Sequence, residues 1–81
     1  MAKRGTRARI EIRKGVMLGK PLVRGTRITV EFLLEKLAAG NSVEEIVEEY
    51  PKLERADILA ALDYARSVLG SEHILPRIRS A

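Results

Sequence analysis

Cysteine and tryptophan are absent from the 81 residues, and His73 is the only histidine. Without cysteine there are no disulfides, no thiol catalysis and no cysteine-held zinc. One histidine excludes a His-rich metal site within a single chain. Long apolar runs are missing too. A membrane helix needs about 20 apolar residues in a row, and the longest runs here are a few residues. No membrane partner is therefore expected. The opening Met1-Ala2-Lys3-Arg4 has no apolar stretch behind it, so the expectation is no signal peptide and a cytoplasmic location. The chain has room for one core. A domain this small buries only about 60% of the surface its unfolded chain exposes, so a homodimer is expected.

The charge present is uneven. Residues 1–27 hold Lys3, Arg4, Arg7, Arg9, Arg13, Lys14, Lys20, Arg24 and Arg27 against Glu11 alone, a net +8. Residues 28–70 hold four cations against nine acids, a net −5, and the last eleven residues are +1. A basic arm on an acidic body seeks an anion, or a second copy of that body.

Residues 1–9 are small and basic with no apolar period, and read as a disordered arm. Ile10 and Ile12 alternate with Glu11 and Arg13, the pattern of a short half-buried strand. Lys14-Gly15 and Gly19-Lys20-Pro21 break the chain around Val16-Met17-Leu18. Extended pieces this short form no stable sheet alone, so they must pack on helices or pair with a second chain. Three helices follow. Thr29 caps the first, whose face is Phe32, Leu33, Leu34, Leu37 and Ala38, and Gly40 stops it. Ser42 and Glu45 make a capping box for the second, with Val43, Ile46 and Val47 inward and Glu44, Glu45, Glu48 and Glu49 outward. Pro51 ends it. The third spans about Glu54 to Leu69, with Ile58, Leu62, Ala65 and Leu69 at helical spacing as its inner face and Leu59, Ala61, Tyr64 and Val68 widening it. The result is a single domain over 10–70 and a tail over 71–81. The fold class is mainly α, with helix-turn-helix spacing in the second and third helices.

The stretch Gly19-Lys20-Pro21-Leu22-Val23-Arg24-Gly25-Thr26-Arg27-Ile28-Thr29-Val30 resembles the GKP-x-x-x-GTR-x-x-V segment of domain-of-unknown-function family 433. Leu33-Leu34, Leu37 to Gly40, Ser42 to Ile46, Tyr50-Pro51, Asp57-Ile58, Ala60 to Leu62 and Tyr64-Ala65 continue the likeness, over roughly 10–69. The resemblance implies a three-helix, homeodomain-like bundle preceded by short strands. It also implies an antitoxin role, because members resemble small antitoxins paired with PIN-like nuclease toxins.

Several motifs have a chemical and a structural reading. Gly15-x-x-x-Gly19-Lys20-Pro21 fails as a phosphate loop, with one residue too few between the glycines and Pro21 where the Mg²⁺ ligand belongs. Arg24, Thr26 and Arg27 either hold phosphates around a glycine turn or lock onto Glu31 or Glu35. The outward start of the third helix offers Glu54, Arg55, Asp57 and Ala60, which opposes ordinary recognition-helix readout. DNA contact is therefore assigned to Lys3, Arg4, Arg7, Arg9, Arg13, Lys14, Lys20, Arg24 and Arg27. In the tail, Ile74, Leu75 and Ile78 are apolar anchors and Arg77 and Arg79 are forked cations suited to the carboxylate cluster of a nuclease. The alternative is that Ile74-Leu75 docks on the protein's own core. No catalytic residue, metal or cofactor is expected. The functional expectation is a non-enzymatic antitoxin or regulator with a PIN-like toxin and DNA as partners; the alternative is a structural dimerisation module.

Overall fold

The computed structural model describes residues 9–70. The elements run β1 (Ile10–Glu11), a 3₁₀ turn (Met17–Gly19), β2 (Leu22–Val23), α1 (Val30–Ala38), α2 (Val43–Glu49) and α3 (Arg55–Gly70). The arm up to residue 8 and the tail from residue 71 lie outside the described residues.

β1 and β2 pair antiparallel, Ile10 with Val23 and Glu11 with Leu22. Two-residue strands hold only because helices complete the packing. β2 is covered on its other side by its own chain. The Val23 amide donates to the Ile28 carbonyl at 2.9 Å, and the Val30 amide donates to the Pro21 carbonyl at 3.0 Å. The reversal between them is the work of Gly25 and Thr26. Gly25 has φ +80° with open space around it, so backbone conformation and not crowding calls for glycine. The Thr26 hydroxyl donates to the Val23 carbonyl and accepts from the Ile28 amide, both at 2.9 Å. The glycine-threonine pair is thus a turn that folds residues 28–29 back onto β2.

The helices form where the caps predict. Thr29 accepts from the Phe32 amide, and Ser42 and Glu45 form a reciprocal capping box. Val23, Val30, Leu33, Ile46, Leu53, Ile58 and Ala61 build one core, drawn from β2, all three helices and the α2–α3 turn. Phe32 and Tyr50 meet edge to face at 5.6 Å between centroids. Lys36 reaches both rings and pairs with Glu49 at 3.2 Å, tying α1 to the end of α2. Among the described residues every buried side-chain polar atom has a partner.

Two expectations need correction. Ile12 does not continue the strand inward; it is exposed, because β1 ends at Glu11 and Ile12 enters the hairpin loop. The inner face of α3 is also rotated from the expected one. Asp57, Ile58, Ala60 and Ala61 are buried, whereas Leu62 is 39% and Leu69 71% exposed. α3 has 16 residues against nine in α1 and seven in α2. Its last five residues are all exposed, so the helix outlasts the bundle it packs on.

Candidate interaction surface

The basic segment that the sequence singles out is split by the fold into two groups of cations. Arg9 belongs to the first. Its Nη1 lies 2.9 Å from Asp57 Oδ1 and 3.2 Å from Glu54 Oε1. Asp57 is buried, and its other oxygen accepts the Glu54 amide at 2.8 Å, so one carboxylate caps α3 and anchors Arg9. Asp57 first, then Glu54, hold the Arg9 guanidinium above its ordinary pKa. Lys20 pairs with Glu31 at 2.7 Å, which fastens the loop to α1 and raises the ammonium pKa by the same contact. Glu11 takes Arg13 at 3.1 Å and Arg24 at 3.8 Å. Arg24 therefore finds Glu11, and Lys20 rather than an arginine finds Glu31.

The second group is free. Lys14 and Arg27 are exposed and have no carboxylate within 4 Å among the described residues. Arg27 rims a groove of ≈ 270 Å³ lined also by Met17, Ile28, Thr29, Phe32 and Tyr50. Beside it stands the 3₁₀ turn. Met17 and Leu18 both have left-handed backbone, φ 49° and 59°. A non-glycine residue costs about 1–2 kcal/mol there. Leu18 is 93% exposed, so no packing among the described residues compensates. With Ile12 and Met17, the loop from residue 12 to 18 carries three of the seven large apolar side chains left exposed among the described residues. Periodicity points to none of these, because their exposure follows from the turn geometry.

The α2–α3 turn offers much less. Arg55 is held by Glu44 at 2.7 Å, and Asp57 and Ala60, expected outward, are buried because this side of α3 faces β1 and the core. Among the described residues there is no cluster of three or more metal-ligating side chains and no helix long and apolar enough to cross a membrane. The tail residues Ile74, Leu75, Arg77, Ile78 and Arg79, with the arm residues Lys3, Arg4 and Arg7, lie outside the described residues.

Residues 10–65, which contain the hairpin, its glycine-threonine turn and most of the bundle, match the family described as protein of unknown function, DUF433. The chain belongs to the DUF433 family. A crystal structure of a DUF433 member protein from Anabaena variabilis superposes with a TM-score of 0.73 at 32% identity, over 76% of this chain and 61% of that one. The uncharacterized protein y4eO of Sinorhizobium fredii is 40% identical over 52 residues, which make up 64% of this chain and 24% of that protein. The DUF433 unit here thus spans about a quarter of that relative's length. The residues that carry the family likeness have structural tasks. Gly19 and Gly25 adopt positive φ, Lys20 clamps α1, the Pro21 carbonyl receives the first amide of α1, and Thr26 closes the turn.

Proposed function

We propose that this DUF433 chain is a non-catalytic, antitoxin-type binding protein that neutralises a PIN-like nuclease, and that the hairpin loop is a principal contact. The observation that carries the reading is Leu18. It is an apolar side chain almost wholly in solvent, on a turn whose left-handed backbone disfavours leucine, next to an apolar groove rimmed by Arg27, which has no carboxylate partner among the described residues. Strained residues that make no contact of their own are features of binding sites. Arg27 supplies a forked cation to pair with carboxylates, the groups with which such a nuclease holds metal. The tail residues Ile74, Leu75, Arg77, Ile78 and Arg79 are a second contact in this reading.

The test is neutralisation of a PIN-like nuclease, the toxin class that this reading names. Leu18→Asp with Arg27→Glu should weaken binding by more than about tenfold, as loss of a buried anchor does, with an unchanged circular-dichroism spectrum. Truncation after Gly70 should add to the loss. Full neutralisation by the combined variant would sink the reading and leave a dimerisation module as the better account.

A basic hairpin favours nucleic acid as a further partner, since Lys14, Arg24 and Arg27 are exposed in one short segment that continues the arm. Affinity should then fall with salt at about 0.9 log units per log unit for each phosphate neutralised. Removing residues 1–8, which spares the Arg9–Asp57 pair, should flatten that slope. Equal slopes would exclude the arm from binding.

A further inference from the structure

One exposed stripe of α3 carries Leu59, Leu62, Arg66 and Leu69, at successive intervals of three, four and three residues; its end at Leu69 borders the groove against α1. That is the spacing of a coiled-coil seam. The three leucines are 46%, 39% and 71% exposed, and Arg66 is exposed beside them. The core takes the adjoining stripe of the helix through Ile58 and Ala61. A helix whose apolar surface extends well past the stripe that its own core covers suits a larger assembly than one copy of this bundle.

We infer that this face is a homodimer seam, occupied by α3 of a second copy running antiparallel. The stripe is self-complementary under a two-fold axis level with residue 64. That axis sets Leu59 against the partner's Leu69, and Leu62 against the stem of the partner's Arg66. Each stripe residue therefore meets another stripe residue, which is the condition for an isologous contact. The charges agree. Asp63 and Arg66 flank the seam and pair within one helix at 2.9 Å. Antiparallel packing brings each Arg66 next to the partner's Asp63, and the two ion pairs become a four-charge network. The opposite, parallel arrangement stacks Arg66 on Arg66 and is disfavoured. None of these residues belongs to the hairpin-loop surface, so the dimer stands or falls independently of the antitoxin reading.

A seam of about two heptads buries less than the roughly 1,200 Å² of a standard interface, so a weak, concentration-dependent dimer is expected. Sedimentation equilibrium of the full chain should pass from 9.0 kDa to twice that mass as concentration rises. Leu62→Glu should shift the dissociation constant by more than about tenfold towards monomer, because it puts a charge at the seam centre. Its helical circular dichroism should not change. The decisive experiment exchanges charge between copies. Asp63→Arg and Arg66→Asp each create like charges across the seam and should each be monomeric. An equimolar mixture of the two should dimerise, since every cross-pair is then attractive. A purely intrahelical role for Asp63 and Arg66 cannot be rescued by mixing. A mixture that stays monomeric, or a wild-type chain that stays at 9.0 kDa throughout, overturns the inference.

Discussion

The base and the tip of the N-terminal hairpin are a few residues apart and obey opposite rules. At the base, Leu22 and Val23 are buried, the Thr26 hydroxyl both donates and accepts, and Arg9 is held by two carboxylates. At the tip, Ile12, Met17 and Leu18 face solvent, two of them in a disfavoured backbone conformation, and Lys14 lacks an ion partner among the described residues. The buried side-chain polar atoms at the base all have partners; at the tip three large apolar side chains and Lys14 are left over among the described residues, while Arg13 pairs with Glu11. Stability thus resides in the base, and the tip is where the proposed partner contact would form. Net charge conceals this division, because the segment is basic throughout.

Asp57→Ala is the sharpest way to break the base. It removes the carboxylate that caps α3 and leaves Arg9 with Glu54 alone. Loss of a buried pair partner costs about 3–5 kcal/mol when both groups are desolvated. The Arg9 side chain is one-third exposed, so screening lowers the figure. A loss of about 2 kcal/mol is expected. In a domain of this size that is a fall of roughly 10 °C in Tm. Asp57→Asn keeps an acceptor for the Glu54 amide and should recover part of the loss. Thermal unfolding followed by circular dichroism reads both. An Asp57→Ala protein as stable as wild type would show that the base is not anchored through α3, and the contrast with the tip would disappear.

What the sequence makes legible follows the same division. Local rules depend on a few neighbouring residues, and they place Thr29 and the Ser42–Glu45 box correctly. The glycine breakers and the three helices are equally readable. Long-range choices are not. Arg9 lies 48 residues from Asp57, and nothing in the basic run distinguishes it from Arg27, which has no ion pair among the described residues. The face of α3 is misread because Leu62 and Leu69 fit the same helical period as Ile58. The period says that a stripe is apolar, not which of two adjoining stripes meets the core. With Leu59, the misassigned leucines form the seam. Likewise, Val16-Met17-Leu18 reads only as a short apolar run between breakers, and the left-handed backbone at Met17 and Leu18 belongs to a turn that leaves Leu18 in water.

The smallest expected effect sharpens the comparison most, because stability and binding should move in opposite directions. Leu18→Gly removes a side chain that is 93% exposed, so almost no native packing is lost. Glycine accepts φ 59° without penalty, which relieves about 1 kcal/mol or more of backbone cost. Against this, glycine enlarges the unfolded ensemble, an opposing contribution of about 0.5–1 kcal/mol. The net result should be a gain of about 0.5 kcal/mol, or a few degrees in Tm for a domain this small. Met17→Gly is the comparison variant. Met17 shares the left-handed backbone but is less exposed and lines the groove, so its truncation also loses packing and should gain less. The cost of Leu18→Gly should appear only against the nuclease. A leucine fully buried in a complex contributes about 1.5–3 kcal/mol, so affinity should fall at least tenfold while the free protein melts higher. A variant that is more stable and binds as well as wild type would show that Leu18 meets nothing in the complex. The tip would then be a strained turn, with its partner-binding surface to be sought elsewhere.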